Sequence, residues 1–122
     1  MDGLLLFAHG ARDAAWAKPF ELVAARLRAA RPDTPLALAY LEFMSPGVEA
    51  AAETLVAAGC TRVHVLPLFL GTGGHVRRDI PPLLDHLRAR HGHAVEWRLH
   101  PALGEHDAVL QAMCDACLGT LE

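Results

Sequence analysis

The chain has 122 residues, enough for one domain and too few for two of ordinary size. Hydrophobic residues make up 52% of it and charged residues 20%, so a packed core is expected and a disordered chain is excluded. A net charge of -3, with His neutral, excludes a polybasic nucleic-acid binder, whose phosphate contacts demand a dense Lys/Arg surface.

Residues 4–8, LLLFA, form an unbroken apolar run of strand length. Residues 19–30 then place Phe20, Val23, Leu27 and Ala30 on one helical stripe, with Pro19 suited to the first turn. A second apolar run, LALAYL, covers residues 36–41. Ser45 and Pro46 read as the N-cap and first residue of a second helix, whose stripe is Val48, Ala51, Ala52 and Leu55 and whose stop is Gly59. Residues 63–66, VHVL, predict a third strand, and residues 67–79 are the longest irregular stretch, bent by Gly71, Gly73 and Gly74. Asp79 caps a third helix with Leu83, Leu84 and Leu87 inward and Gly92 as its stop. Residues 95–99, VEWRL, alternate in polarity, and residues 107–118 form a last helix with Leu110, Met113, Cys114 and Cys117 on one face.

Unbroken runs suit central strands buried on both sides; the alternating run suits an edge strand with one wet face. The order βαβαβαβα implies parallel strands joined by right-handed helical crossovers. The expected fold is a three-layer α/β/α sandwich with a four-stranded parallel sheet, flavodoxin-like, in one domain over residues 1–122. No uncharged apolar run approaches the ~18 residues needed to cross a bilayer. The opening MDGLLLFAHGAR has no basic stretch ahead of its short apolar run, so the expected location is the cytoplasm and no membrane contact is expected. Three cysteines, an odd number, fit a reducing compartment. Eight histidines are the unusual feature of the composition and raise the question of metal or proton chemistry.

In parallel α/β sheets ligands bind at the carboxyl ends of the strands. His9 and Gly10 follow strand one, Glu42 follows strand two, and His75 lies in the stretch after strand three. Topology therefore gathers His9, Glu42 and His75 on one rim. Two imidazoles and a carboxylate can hold a divalent first-row metal with positions left open, or accept protons near neutral pH. Phe43, Met44, Phe69 and Leu70 add apolar surface there, Arg12, Arg77 and Arg78 add positive charge, and Gly73 and Gly74 permit close backbone approach. A flat apolar ligand bearing carboxylates would match that set.

These residues fall in motifs: HG-x-R-D at His9, Gly10, Arg12 and Asp13; LEF at 41–43; and PLFL-x-x-GGHV-x-x-DIP at 67–81. The chain resembles the class II chelatases, specifically the short CbiX-type sirohydrochlorin chelatases, over nearly its whole length. The resemblance implies insertion of a divalent metal, Co²⁺ first and Fe²⁺ or Ni²⁺ as alternatives, into sirohydrochlorin on the route to cobalamin or sirohaem. It assigns the metal to His9, Glu42 and His75. Arg12, Phe43, Phe69, Leu70, Gly73, Gly74, Arg77 and Arg78 then line the tetrapyrrole. No cofactor beyond the metal substrate is implied, and no nucleotide, since no Walker-type loop is present. Family members of twice this length hold their cleft between two such domains, so a short one implies a homodimer. The family commonly carries Ser after His-Gly, where this chain has Ala11.

Other readings have less support. A non-catalytic metal or tetrapyrrole carrier rests on Ala11 and small size. A histidine phosphatase needs Arg before His-Gly, where this chain has Ala8, and the loop that follows lacks the donors of a flavin-phosphate cradle. Arg77 and Arg78 also suit a solvated helix entrance. Cys114 and Cys117 lack a matching pair and read as small hydrophobes on a helix.

Overall fold

The computed structural model describes residues 1–71 and 73–121, with the side chains of His75 and Val76 outside that description. Strands β1 (Asp2–Ala8), β2 (Leu36–Tyr40), β3 (Arg62–Pro67) and β4 (Glu96–Leu99) alternate with helices α1 (Lys18–Ala30), α2 (Val48–Ala57), α3 (Gly74–His91) and α4 (Asp107–Gly119). Every pairing is parallel and the sheet order is β2-β1-β3-β4. The α/β sandwich expected from the alternation is the fold observed.

Period-two alternation divides the core into two layers. Leu5, Phe7, Val63, Val65 and Trp97 face α2 and α3, where Leu55, Ile80, Leu84 and Leu87 meet them. Ala8 and Tyr40 face the other way, towards Ala17, Trp16 and Phe20 at the head of α1. Burying a side chain such as Leu5, Phe7, Leu55 or Leu87 contributes ~1.5–3 kcal/mol. Cys60 is buried above Gly3, where a Cβ would stand 2.6 Å from its Sγ, and burial pushes its thiol pKa up. It behaves as a small hydrophobe.

The alternating residues 95–99 do yield an edge strand, with Trp97 buried between exposed Glu96 and Arg98. The other edge is β2, although its apolar run suggested a central strand. It stays buried because α1 and α2 both pack on it.

Helix boundaries depart from the sequence reading in two places. The N-cap of α2 is Gly47, not Ser45, and the Ser45–Pro46 bond is cis. The Val48, Ala51, Ala52 and Leu55 stripe is buried as expected. Gly59, at φ +98°, ends the helix: its N–H donates to the Val56 carbonyl while that of Cys60 reaches the Leu55 carbonyl. Helix α3 starts at Gly74, five residues before the expected cap at Asp79. An Asp-x-Pro-Pro sequence imitates a helix start because Pro is favoured in the first turn. Here Pro81 and Pro82 lie inside the helix.

Two stripes are corrected as well. In α1 the buried residue is Ala24, with Phe20 and Leu27 half-buried, whereas Val23 and Ala30 are exposed. In α4 no residue is buried, and Leu110, Met113, Cys114 and Cys117 all face solvent. The apolar face is there, but its own domain does not cover it.

Candidate functional site

Beyond their last ladder residues, β1 and β2 keep their parallel pairing. The Leu41 N–H donates to the Ala8 carbonyl and the Glu42 N–H to the His9 carbonyl, both at 3.0 Å. Gly10, at φ +95°, passes so close beneath this turn that a Cβ on it would lie 1.9 Å from the Glu42 carbonyl oxygen. The two loops are locked together, and their side chains emerge side by side. His9 Nε2 lies 3.8 Å from Glu42 Oε2, with the two side chains 44% and 47% exposed. That spacing is too long for a hydrogen bond. Two ligands at ~2.0–2.2 Å from one first-row ion lie about 2.9–3.6 Å apart, so a small side-chain rotation would close the pair on an ion.

Phe43 has φ +64°, a conformation a bulky residue rarely adopts, and the Met44 N–H donates to the Glu42 carbonyl at 2.8 Å across it. The result is a three-residue turn that holds the ring outward, 61% exposed. The Arg12 guanidinium carbon lies 4.8 Å above that ring. Asp13 fixes the same loop by accepting from the Ala15 N–H at 2.9 Å. Arg12 and Phe43 thus form one unit on the β2 side of His9.

On the β3 side, Phe69 packs edge-on against Phe7 at 5.5 Å and against His9 at 6.5 Å between ring centroids. It is a half-buried wall that orients His9. Leu70 is exposed. Its position depends on Gly104, where a Cβ would come within 1.8 Å of the Leu70 carbonyl oxygen and whose N–H donates to the Phe69 carbonyl. Gly104 has no such role in the sequence analysis. Gly73 is the N-cap of α3 and Gly74 its first residue, and a Cβ at either would meet open space. Neither has the left-handed conformation that only glycine favours. The backbone of His75 opens α3, while its side chain lies outside the described residues.

Arg77 and Arg78 are on the first turns of α3 and not in a loop. Arg78 Nε donates to the Gly74 carbonyl of its own helix at 3.2 Å. Arg77 borders a cavity of about 210 Å³ at the carboxyl ends of β3 and β4, with Pro67, His100 and Glu105. The rim therefore brings His9, Glu42, Phe43, Arg12 and Phe69 together and sets Arg77 apart, towards β4. Beside it an open apolar groove of about 730 Å³ runs between Phe20, Leu68, Leu70 and Leu103. Among the described side chains, which do not include that of His75, no three His, Cys, Asp or Glu groups gather closely enough to hold an ion.

A parallel α/β sheet with a histidine, a carboxylate and a held-out aromatic ring at its carboxyl edge has the architecture of the doubly wound class, in which that edge is where ligands bind. The chain belongs to the CbiX family, whose model matches residues 3–118. It superposes on a CbiX protein of Marinobacter aquaeolei VT8 with a TM-score of 0.87 and 30% identity, covering 99% of this chain and 98% of that one. The sirohydrochlorin chelatase SirB of Bacillus subtilis subspecies spizizenii, solved in complex with cobalt, shares the fold at a TM-score of 0.74 and 24% identity. This chain spans 47% of SirB. The sirohydrochlorin cobaltochelatase of Saccharolobus solfataricus is 36% identical over 84 residues, 69% of this chain and 64% of that protein. The match thus takes in less than two thirds of that relative's length. Among the described residues, no helix is long and apolar enough to cross a membrane.

Proposed function

We propose that residues 1–122 form a single sirohydrochlorin chelatase domain that inserts a divalent metal into the tetrapyrrole. Co²⁺ is the first choice, and Fe²⁺ and Ni²⁺ suit the same ligands. The observation that carries this reading is His9 Nε2 set 3.8 Å from Glu42 Oε2, with His9 against Phe69, which also lines the apolar groove. The metal is substrate. His9 and Glu42, with His75 from the start of α3, hold it over the macrocycle face. Phe43 and Leu70 lie against the ring system, and Arg12 and Arg77 meet its peripheral carboxylates.

Insertion removes two pyrrole N–H protons. The incoming cation stabilises the deprotonated nitrogens, and the imidazoles and the Glu42 carboxylate are the bases within reach. Lone pairs on His9 and His75 are needed both for the metal and for proton transfer, so a neutral imidazole is the competent form. One rim leaves one face of a macrocycle in water. A homodimer, in the cytoplasm, supplies the second wall.

Purified protein is mixed with sirohydrochlorin and each metal in turn, and insertion is read from the absorption spectrum. The wild type accelerates insertion, whereas His9→Ala and His75→Ala each lose most of the rate with circular dichroism unchanged. Wild-type rates in either variant overturn the ligand assignment. Metal binding without acceleration by the wild type identifies a carrier instead.

A further inference from the structure

We propose that His64 and His100 form a second divalent-cation site, on the open face of the sheet towards the end of β4 and away from His9 and Glu42. On the side of the sheet turned away from α2 and α3, register places Asp2, Arg62 and Glu96 in one row and His64 beside Arg98 in the next. His100 extends β4, its N–H donating to the Val65 carbonyl at 2.9 Å. Its ring comes to His64: His64 Nδ1 and His100 Nε2 are 2.9 Å apart, with the rings tilted by 31°. The far nitrogen of His64, Nε2, is 3.0 Å from Asp2 Oδ2.

The Asp2 contact fixes the chemistry of the pair. That carboxylate is held ionised, first by its hydrogen bond from His64 and further by the Arg62 charge. An ionised carboxylate only accepts, so the His64 proton sits on Nε2 and Nδ1 is left a bare lone pair. His100 Nε2 donates to it in the resting structure. Neutral His100 can carry its single proton on Nδ1 instead, and two lone pairs then face one another. Two nitrogen ligands at ~2.0–2.1 Å from a first-row ion lie about 2.9–3.4 Å apart for octahedral or tetrahedral angles. Small ring rotations therefore admit a cation between them. A carboxylate on the outer nitrogen of a ligating histidine is the usual way such a ring is oriented and made more basic.

Among the neighbouring side chains the charges balance, and the Met1 ammonium, a further positive charge near Asp2, donates to Thr61 Oγ1 at 3.1 Å. Arg62 pairs with Glu96 at 2.6 Å and with Asp2 at 3.8 Å, and Arg98 pairs with Glu96 at 3.1 Å. Two guanidiniums are thus matched by two carboxylates. Both histidines are only partly buried, so water can complete the coordination. Imidazole donors select Co²⁺, Ni²⁺ or Zn²⁺ over Mg²⁺ or Ca²⁺. His64 is in register with Leu4, five residues before His9, which puts its backbone about 16 Å from that of His9 along the strand direction, while His100 at the end of β4 borders the cavity beside Arg77. The site stands independently of the rim reading.

Zn²⁺ is titrated into the His9→Ala/His75→Ala variant, with ring-nitrogen NMR of labelled histidine and calorimetry as readouts. His64 is expected as the Nε2–H tautomer before metal. One equivalent of Zn²⁺ then shifts His64 Nδ1 and His100 Nε2. His64→Gln or His100→Gln added to this background abolishes that equivalent, and Asp2→Asn weakens it ~10–100-fold. His100→Gln, at the strand end, serves where His64→Gln disturbs the circular dichroism. No shift at either ring, or undiminished affinity in His100→Gln, overturns the site.

Discussion

Phe43 combines a left-handed backbone at φ +64° with a ring left 61% exposed. A side chain in that conformation costs ~1–2 kcal/mol relative to glycine. Packing does not repay it, since the ring meets mainly water and the Arg12 guanidinium. Strain at an exposed aromatic on a rim is the pattern of a ligand contact. The conformation also accounts for the turn: only with Phe43 bent this way does the Met44 N–H reach the Glu42 carbonyl, beneath which Gly10 passes. Two substitutions separate backbone from side chain. Phe43→Ala keeps the strain and removes the ring; Phe43→Gly removes both. Urea denaturation is expected to show Phe43→Gly more stable than Phe43→Ala by ~1 kcal/mol, with KM for sirohydrochlorin raised in both. Equal stability of the two variants would mean that the turn is unstrained.

At the scale of elements, the two arginines of α3 separate. Arg78 donates to its own helix at the Gly74 carbonyl, whereas Arg77 borders the cavity beside His100 and Glu105. Arg77→Ala is expected to raise KM about 2–5-fold, the worth of one partly exposed carboxylate contact, with kcat little changed. Arg78→Ala should change KM less; the reverse order in steady-state kinetics would place the tetrapyrrole on the other side of α3. The polar row joining β1, β3 and β4 sets an acid response. Asp2 is held below its ordinary pKa by the His64 hydrogen bond, and Glu96 by the Arg62 hydrogen bond. The folded state therefore releases these protons more readily than the unfolded chain. Their stabilisation is complete above the ordinary carboxylate range and is lost as pH falls through and below it. Tm should drop between about pH 5 and about pH 3, and Glu96→Gln should flatten that drop.

The same scale shows what the sequence could reveal. His9 and Glu42 were legible because alternating strands and helices send every strand end to one rim, and register then sets neighbours beside each other. The early start of α3 was not, because Pro81 and Pro82 imitate a helix entrance and conceal the nearly two turns before them. Nor was the close approach of Gly104 to Leu70, which is a long-range contact without local periodicity. An amphipathic stripe in α4 was visible, but a stripe reports only that one face is apolar. It does not say what covers that face.

The whole molecule supplies the argument for a partner copy. An isolated helix of the 13 residues of α4 is marginal in water. This one packs mainly on the short turn at Leu103–Glu105 and leaves Leu110, Met113 and Leu118 exposed, with Leu121 exposed just beyond its end. The groove along Phe20, Leu68 and Leu70 is apolar and open, and Leu22 and Val23 of α1 are exposed nearby. Charge matches as well. Residues 107–122 include Asp107 and Asp115 and no Lys or Arg, while α1 exposes Arg26 and Arg28. In a two-fold dimer each copy offers its α4 to the groove and basic face of the other, so one symmetric contact covers both surfaces twice. A standard interface of ~800 Å² per partner is within reach of a helix of this length and a groove of this size. Light scattering at micromolar concentration should give twice the 13.1 kDa of one chain. Leu110→Glu with Met113→Glu puts two charges into the contact and should yield monomers, with Tm lowered and no longer dependent on concentration. Insertion should slow in step with dissociation, because the macrocycle loses its second wall. A wild type that is monomeric and fully active would remove the dimer from the mechanism and leave α4 without a role in it.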